Sequence, residues 1–368
     1  MTFAILSLGT AVPPATMNQV EAERIARSLC CETDEQATWL PSMYRGTGID
    51  RRHTVLGQQV LRDVVEGTRH SQSVFLPTGR LGDTGPTTGQ RMQIYAAEAE
   101  PLALRAVDRA LEGSGLPAKA ITHLVTVSCT GFQAPGVDRA LITQLGLPAT
   151  TQRTHVGYMG CHGAMNGLRV AAAFTAADPA SRVLLCAVEL CSLHYHYGWD
   201  PQKVVANALF ADGAAAVVGV PAAGAPASAW RLGASGSYLF PDSADAMSWT
   251  VGDHGFEMTL SKRVPGLIAA NLRAWLEVWL MEHDVALGAV RSWAIHPGGP
   301  RILTAVAESL GLDETALQTS RDVFAQHGNM SSPTVLFILD ALLRRQAPRP
   351  CVALAFGPGL TAEAALFT

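Results

Sequence analysis

Cys161 is the residue of this sequence that is best placed to act as a nucleophile. It follows the segment GYMG and precedes a run, 162–177, in which Arg169 is the only charged residue. A helix that is apolar on nearly all sides is normally buried, and a helix N-terminus favours a thiolate through its free N–H groups and its dipole. The position therefore predicts a reactive thiol, although it suits a small, unreactive buried cysteine equally well.

Two later segments carry polar residues that could assist Cys161. A nucleophilic cysteine needs a base or cation, and donors that hold charge on the substrate oxygen. His296 ends an apolar strand before the turn PGG, and Asn329 lies in the polar loop HGNMSSP. Both fall at the ends of predicted elements, where α/β proteins usually build their sites. Taken singly each signal is weak, since a histidine at a strand end is more often structural. His162 lies one helix step from Cys161 and would point elsewhere, so it is not our predicted base.

The elements that must position these residues alternate between short apolar strands and longer helical segments. We predict strands over 121–128, 182–188, 214–220, 290–296 and 351–356, and helices that begin near residues 137, 162 and 301. Such alternation is typical of an α/β fold with buried sheets. Segments rich in Gly, Pro, Ser and Thr predict loops over about 71–90 and 221–248. The second loop is our candidate join between two similar halves.

The composition of the 368-residue chain excludes several classes of protein. Apolar residues make up 48% and charged residues 16%, which is enough to bury one large core or two fused ones. A net charge of −4, with no basic run longer than two arginines, argues against nucleic acid or an anionic membrane as the partner. No apolar run approaches the roughly 18 residues of a membrane span, and Met1 to Pro14 lacks a basic leader. Seven irregularly spaced cysteines predict a reducing compartment, so we expect a cytoplasmic protein.

The sequence resembles the chalcone synthase-like family of type III polyketide synthases through five motifs in the same order and approximate spacing. These are GYMGCHGAMNGLRVA, NALFADGAAAV, WAIHPGGPRIL, HGNMSSPTVLFIL and AFGPG. The resemblance covers nearly the whole chain. It implies an α/β, thiolase-like fold of two similar α/β halves in an αβαβα layered arrangement, which we place at residues 1–222 and 223–368. It also implies a homodimer, in which the FQAP loop around Ala134 reaches the cavity of the partner.

The resemblance further implies iterative, decarboxylative condensation of malonyl-CoA onto an acyl-CoA starter. It carries four central residues over onto Cys161, Phe210, His296 and Asn329. Cys161, as a thiolate paired with a His296 imidazolium, would take up the acyl group. His296 and Asn329 would donate hydrogen bonds to the malonyl thioester oxygen, which gains enolate charge as carbon dioxide leaves. Phe210 would be an apolar gate that orients the malonyl group and keeps the site dry; without the resemblance it would be taken as an ordinary core residue.

A further set of residues is implied to surround the cavity in which the chain grows and cyclises to a pyrone or resorcinol-type product. These residues are Cys129, Thr130, Cys191, His194, Trp249, Met258, Ser331 and the loop formed by Phe356, Gly357, Pro358 and Gly359. Plant members carry threonines at several of these positions and a phenylalanine at that of Met258. The softer, apolar Cys191 and Met258 favour a medium or long fatty acyl starter, whereas His194 and Trp249 argue against one. Ala355, where plant members usually carry glycine, would alter the cavity wall.

Basic side chains are expected at the entrance of the cavity because coenzyme A is anionic. Arg45, Arg51 and Arg52, in YRGTGIDRRH, resemble the basic segment with which the family contacts CoA. Arg301, just after HPGGP, is a weaker candidate. An ordinary solvated surface is the alternative interpretation of these arginines.

Two other functions remain open. A ketoacyl synthase III-type enzyme shares the cysteine, histidine and asparagine in the same order and makes a single extension on an acyl carrier protein, but HPGG and FGPG fit it poorly. A catalytically inactive family member that acts as a partner subunit would be marked by loss of a triad residue, and none is lost here. Cys191, His194 and His196 lack a second ligand cluster, so we predict no metal site. The only small molecules expected are CoA thioesters, as substrates.

Overall fold

In the computed structural model, which describes residues 3–368, strands alternate with helices along most of the chain. The strands are β1 (Phe3–Ala11), β2 (Ala15–Asn18), β3 (Arg51–Thr54), β4 (His123–Ser128), β5 (Gln152–Gly157), β6 (Val183–Leu190), β7 (Asp212–Pro221), β8 (Trp230–Leu239), β9 (Met247–Gly252), β10 (Gly255–Leu260), β11 (Ser292–Ile295), β12 (Cys351–Gly357) and β13 (Thr361–Phe367). The helices are α1 (Gln19–Cys30), α2 (Asp34–Arg45), α3 (Gln58–Glu66), α4 (Thr88–Ser114), α5 (Val137–Leu145), α6 (Gly163–Ala177), α7 (Pro201–Leu209), α8 (Val264–Met281), α9 (Pro300–Leu310), α10 (Gln318–His327) and α11 (Pro333–Arg344). The predicted strands and helices form within about two residues of their expected bounds.

The large sheet has the strand order β11-β12-β13-β8-β1-β7-β6-β4-β5. Its N-terminal part holds β1, β4, β5, β6 and β7, in which β4 pairs in parallel with both β5 and β6. Its C-terminal part holds β8, β11, β12 and β13. The two parts meet where β1 pairs with β8 over only three positions, from Phe3↔Leu232 to Ile5↔Trp230. This narrow junction joins two sheet halves of similar build.

Strands β4, β6 and β12 are buried on both faces. On β6 and β12, alternating side chains belong to different cores. On β6, Leu184 packs in a core with α1 and α4, whereas Leu185 packs in a second core with α6 and α11. On β12, Ala353 faces that same second core, whereas Leu354 packs in a third core with α8 and α9. Because a strand alternates its faces, α6 and α11 must lie between the two sheet halves. The layers run helix, sheet, helix, sheet, helix, as in the thiolase-like fold.

The predicted loop over 221–248 is wrong in its middle, because β8 occupies Trp230–Leu239 and pairs with β13. Its sequence, WRLGASGSYL, has small residues where a strand usually has large ones. At Gly236 a Cβ atom would lie 2.6 Å from Nε1 of Trp279, so packing against α8 explains the missing side chain. The predicted loop near 71–90 is irregular until Thr87, which caps α4 together with Gln90. Within residues 3–368 no helix is both long and apolar enough to cross a membrane.

Candidate active site

Cys161 lies in the short turn Gly160–His162, directly before α6. Gly160 has a φ of +73°, and a Cβ atom there would lie only 2.5 Å from Cδ of Pro358. Glycine alone fits both this left-handed backbone and this close approach. Segment 356–359, which comprises the last two residues of β12 and the turn that follows, therefore packs directly against the turn that carries Cys161.

The Cys161 thiol is held neutral by its surroundings. Burial raises its pKa to about 11, and the carboxylate of Glu189 acts in the same direction, while hydrogen bonding to Ser331 and Asn329 opposes the shift. The sulfur lies 4.0 Å from the side-chain amide of Asn329. The N-terminus of α6 therefore lowers the pKa of Cys161 by less than burial raises it.

His296 follows β11, and its backbone N–H donates to the Leu354 carbonyl at 2.8 Å. The residue is fully buried, yet neither ring nitrogen has a hydrogen-bond partner among residues 3–368. Burial, with His162 as a lesser electrostatic cause, lowers the pKa of His296 to about 3. A buried polar ring without partners is rare, and such groups are often found where a ligand must bind.

Asn329 and Phe210 are fixed to each other through the backbone. Phe210 immediately follows α7, and the two residues form an isolated parallel β-bridge. The N–H of Asn329 donates to the Leu209 carbonyl, and the N–H of Ala211 donates to the Asn329 carbonyl, both at 2.9 Å. The backbone N–H of Ser331 donates to Oδ1 of Asn329 at 2.8 Å. This bond leaves the amide nitrogen of Asn329 as the group available to a substrate.

The structure brings the four predicted central residues together. Cys161, Phe210, His296 and Asn329 all line one small cavity of about 10 Å³, which we call the catalytic recess. Because burial opposes charge on both Cys161 and His296, a lone thiolate or a lone imidazolium is disfavoured there. The predicted ion pair would therefore have to form by joint proton transfer, each charge serving as the counter-ion of the other.

Two further cavities adjoin the catalytic recess. The inner pocket, of about 20 Å³, is lined by Cys129, Thr130, Gly160, Cys161, Cys191, Phe210, Met247, Trp249, Met258, Ser331 and Pro358. The outer chamber, of about 240 Å³, shares Cys191, Phe210, Trp249 and Met258 with the inner pocket and adds, among others, His194, Lys203 and Phe256. Most of the predicted wall residues thus lie around one space that leads from Cys161 outward.

His194 does not present a polar group to this space, contrary to the prediction that it would work against an aliphatic starter. Its Nε2 lies 2.8 Å from the Thr130 carbonyl, and its Nδ1 lies 2.9 Å from the backbone N of Phe256. Burial lowers the pKa of His194 to about 3, which fixes the neutral ring. The ring also stacks on Phe256, with centroids 4.2 Å apart. The indole N–H of Trp249 is likewise satisfied, by the Cys129 carbonyl at 2.7 Å.

Segment 356–359 contributes residues to two of the cavities and contacts the turn that carries Cys161. Phe356 lines the catalytic recess and Pro358 lines the inner pocket. A Cβ atom at Gly357 would lie 2.2 Å from the ring of His162, and Gly359 has a φ of +89°. Ala355, predicted to alter the cavity wall, instead packs in the core with α6 and α11.

Glu189 is a residue of the site that the sequence interpretation missed. It is fully buried near the end of β6, and burial raises its pKa. Its carboxylate accepts hydrogen bonds from the N–H of Cys129 at 2.9 Å, the hydroxyl of Thr130 at 2.7 Å and that of Ser332 at 2.5 Å. These bonds fix part of the inner pocket wall beside Cys161. The available signal was a lone acid in the apolar strand VLLCAVEL.

Comparison with known proteins agrees with this geometry. Residues 2–222 match the family described as chalcone and stilbene synthases, N-terminal domain, and residues 231–368 match the corresponding C-terminal domain. The chain belongs to the chalcone and stilbene synthase family. It is accordingly a type III polyketide synthase, a decarboxylating, condensing acyltransferase.

Two bacterial relatives illustrate the range of this family. The 1,3,6,8-tetrahydroxynaphthalene synthase of Streptomyces peucetius subsp. caesius is 31% identical, over 98% of this chain and 91% of the relative. The alpha-pyrone synthesis polyketide synthase-like Pks18 of Mycobacterium tuberculosis is 35% identical, over 76% of this chain and 73% of the relative.

Solved structures of the family share the fold. PKS-I from the brown alga Ectocarpus siliculosus superimposes with a TM-score of 0.88 at 28% identity, covering 100% of this chain and 98% of that one. The 1,3,6,8-tetrahydroxynaphthalene synthase of Streptomyces coelicolor A3(2) gives a TM-score of 0.85 at 28% identity, covering 99% and 98%.

The four arginines predicted to contact CoA lie in two different environments. Arg45, Arg51 and Arg301 are exposed, as an entrance position requires. Arg52, in contrast, is 1% exposed, and its guanidinium donates to backbone carbonyls of the interior. The prediction that Arg52 lies at the rim is therefore wrong, because β3 is buried from Arg52 onward and only Arg51 is exposed.

Two other features bear on substrate and partner binding in this synthase. Lys203 lines the outer chamber and pairs with Glu257 at 2.7 Å, a cation that the sequence interpretation did not single out. Ala134 is exposed beside Phe132, which is 51% exposed. Among the described side chains, no group of three or more His, Cys, Asp or Glu is arranged to hold a metal ion.

Proposed function

We propose that this synthase loads an acyl group from an acyl-CoA onto Cys161 and extends it iteratively with malonyl-CoA. The observation that carries the proposal is the catalytic recess, where Cys161, Phe210, His296 and Asn329 meet around one small cavity. The unpaired ring nitrogens of His296 add weight, since they are available to a ligand.

Loading begins when the Cys161 thiol transfers its proton to His296. The resulting thiolate attacks the carbonyl carbon of the acyl-CoA, and the tetrahedral intermediate expels the CoA thiolate, which takes the proton from His296. A sulfur–carbon bond forms at Cys161 as the bond to CoA breaks. Because both groups are neutral before and after this step, the buried recess holds charge only transiently.

Extension then uses the neutral forms of the same residues. A neutral imidazole has one N–H, and the amide nitrogen of Asn329 supplies further donors. Both would donate to the thioester oxygen of malonyl-CoA, so that carbon dioxide leaves as enolate charge builds on that oxygen. The enolate carbon attacks the acyl–Cys161 thioester, so that a carbon–carbon bond forms as the bond between the acyl carbon and the Cys161 sulfur breaks. The released thiolate then attacks the thioester of the lengthened acyl-CoA and reloads Cys161, and the CoA thiolate that leaves takes a proton from solvent. Phe210, at the junction of the three cavities, would hold the malonyl group in the water-poor recess.

The walls support an aliphatic starter of medium or long chain. Cys191, Met247 and Met258 present apolar surface, and the polar atoms of His194 and Trp249 are already bound to the backbone. The inner pocket is small, so few malonyl units would be added. We therefore propose a tri- or tetraketide that closes to a pyrone or resorcinol-type product.

The remaining assignments concern CoA, assembly and compartment. We propose that the exposed side chains of Arg45, Arg51 and Arg301 bind the CoA phosphates, and that Lys203 contributes at the outer chamber. The loop around Ala134 would contact the partner in a homodimer, where Phe132 supplies exposed apolar surface. The cysteines are all free, which suits a reducing cytoplasm.

Mass spectrometry of products tests this function. Purified enzyme would be incubated with malonyl-CoA and starters from acetyl-CoA through decanoyl- and palmitoyl-CoA to an aromatic thioester, with Cys161→Ala as the control. Pyrones or resorcinols from the medium or long aliphatic starters are expected. Products from the aromatic starter alone would reject the aliphatic assignment. A single extension seen only with acyl carrier protein would favour ketoacyl synthase chemistry.

A further inference from the structure

Arg52 is a buried cation without an ion-pair partner among the described side chains. It is 1% exposed, on the inward face of β3, whereas its neighbour Arg51 is exposed and bonds to Gln326 at 3.1 Å. Arginine is almost never fully buried unless it is paired. The interior must therefore offer Arg52 another form of electrostatic compensation.

Part of that compensation comes from the buried Asp212 carboxylate, whose pKa burial raises to about 6 and Arg52 partly lowers, and part comes from the C-terminus of α7. One guanidinium nitrogen of Arg52 donates to the Asn207 carbonyl at 2.6 Å and to the Phe210 carbonyl at 2.8 Å. The last carbonyls of a helix lack intrahelical partners, and the helix dipole makes this end negative. Arg52 therefore caps α7, which ends at Leu209 directly before Phe210.

The stem of Arg52 also packs against the segment that carries Asn329. Gly328 has a φ of +69°, and a Cβ atom there would lie 3.0 Å from both Cγ and Cδ of Arg52. The next residue, Asn329, is bonded through its backbone to Leu209 and Ala211 on either side of Phe210. Arg52 thus contacts both segments of the β-bridge between Phe210, the proposed gate, and Asn329, the proposed donor.

We propose that Arg52 is a positioning residue that sets Phe210 and Asn329 relative to each other for decarboxylation of malonyl-CoA. This inference rests on the proposed roles of Phe210 and Asn329. One terminal nitrogen of Arg52 donates to both carbonyls, and its stem fills the space left by Gly328. Because a lysine ammonium is not held in the plane of a guanidinium, a lysine would retain the charge but not the geometry. Arg52 itself contacts neither CoA nor the reacting atoms.

Malonyl-CoA decarboxylation without a starter tests the inference, because it needs the recess but no assumption about the acyl group. For Arg52→Met we expect kcat to fall by about 10²-fold, the scale of a displacement of about 1 Å in a positioned group. KM for malonyl-CoA and the rate at which iodoacetamide alkylates Cys161 should stay unchanged. Arg52→Lys should give an intermediate kcat, and because it keeps the buried charge it provides the test if the methionine variant does not fold.

Arg231→Met is the matched control. Arg231 also donates to backbone carbonyls, among them those of Pro226 at 2.8 Å and Ala229 at 3.0 Å, but it lies at the start of β8, outside the three cavities. Its loss should lower the thermal midpoint without lowering kcat. The inference is overturned if Arg52→Lys keeps full kcat, if KM rises instead of kcat falling, or if decarboxylation and alkylation fall together. Failure of the wild-type enzyme to decarboxylate malonyl-CoA would instead count against the proposed function.

Discussion

His194, in the cavity wall, and His296, in the catalytic recess, differ in the hydrogen bonds of their ring nitrogens. This difference distinguishes a structural role from a chemical one. His194 and His296 are both buried, and in each case burial lowers the pKa to about 3. His194 has both ring nitrogens bound to the backbone, at Thr130 and Phe256. His296 has neither nitrogen bound within residues 3–368. Equal burial and equal pKa direction therefore do not imply equal roles.

The contrast shows where this protein leaves a buried polar group without hydrogen-bond partners. A buried donor or acceptor without a partner destabilises a fold, and native proteins retain few of them. His194 orients aromatic walls through contacts that folding completes, whereas His296 keeps its hydrogen-bonding capacity for a ligand. Four predictions, in order of expected size, test this division.

The largest effect is expected at the nucleophile. Cys161→Ala should abolish product formation from any starter, because no covalent acyl carrier remains in the recess. The unfolding midpoint should stay near that of the wild type, since Cys161 contributes one small buried sulfur. Product mass spectrometry and thermal unfolding measure the two outcomes. An alanine variant that condenses at the wild-type rate would show that the covalent scheme is wrong.

The next effect separates the two histidines by activity. His296→Gln or Asn329→Ala should slow malonyl-CoA decarboxylation by about 10²–10³-fold, the scale of losing an oxyanion donor. His194→Leu should leave decarboxylation largely intact, because His194 has no free donor. Release of labelled carbon dioxide measures all three variants. Equal losses at His194 and His296 would remove the distinction.

The sequence alone was sufficient to predict those site residues that lie within multi-residue motifs. Cys161, His296 and Asn329 each sit at the end of an element within a multi-residue pattern, and the structure gathers them in one recess. Arg51 and Arg52 could not be told apart, because the pairing of Arg52 with Met17 on β2 decides which arginine turns inward. A shift of one residue in a strand exchanges its faces.

Hydrogen-bond partners that lie far apart in the chain could not be predicted from the sequence either. Glu189 receives its donors from Thr130 and Ser332, which lie 59 and 143 positions away in the chain. His194 was predicted to be a polar wall residue because its side chain is polar, but the backbone groups that bind it become neighbours only in the fold. A residue type gives its hydrogen-bonding capacity, and the tertiary structure decides how much of that capacity is left.

A third prediction concerns the pH dependence of the thiol. Burial raises the pKa of Cys161 to about 11, and His296 is the group that could accept its proton. Alkylation of wild-type enzyme by iodoacetamide should therefore titrate at a lower pH than alkylation of His296→Gln, because only the wild type can pass the thiol proton to His296. The thiolate fraction at neutral pH falls tenfold for each unit of upward shift. Identical profiles for the two proteins would exclude His296 as the proton acceptor.

Effects on stability, rather than on activity, bear most directly on the two histidines. At pH 8, His194→Leu leaves the Thr130 carbonyl and the Phe256 N–H unpaired, so the free energy of unfolding should fall by about 2–6 kcal/mol, at about 1–3 kcal/mol for each buried group. His296→Leu removes an already unpaired ring, so the same quantity should stay constant or rise. Urea unfolding measures both variants.

The pH dependence of unfolding provides an independent check on the same pair. Each histidine has a folded-state pKa lowered from 6.5 to about 3. The stability that each contributes as a neutral ring is thus present above pH 6.5 and is lost as the pH falls toward 3. Both leucine variants should therefore lose less stability than the wild type between pH 8 and pH 5. If His296→Leu is instead as destabilised at pH 8 as His194→Leu, His296 has structural partners in solution and its nitrogens are not reserved for substrate.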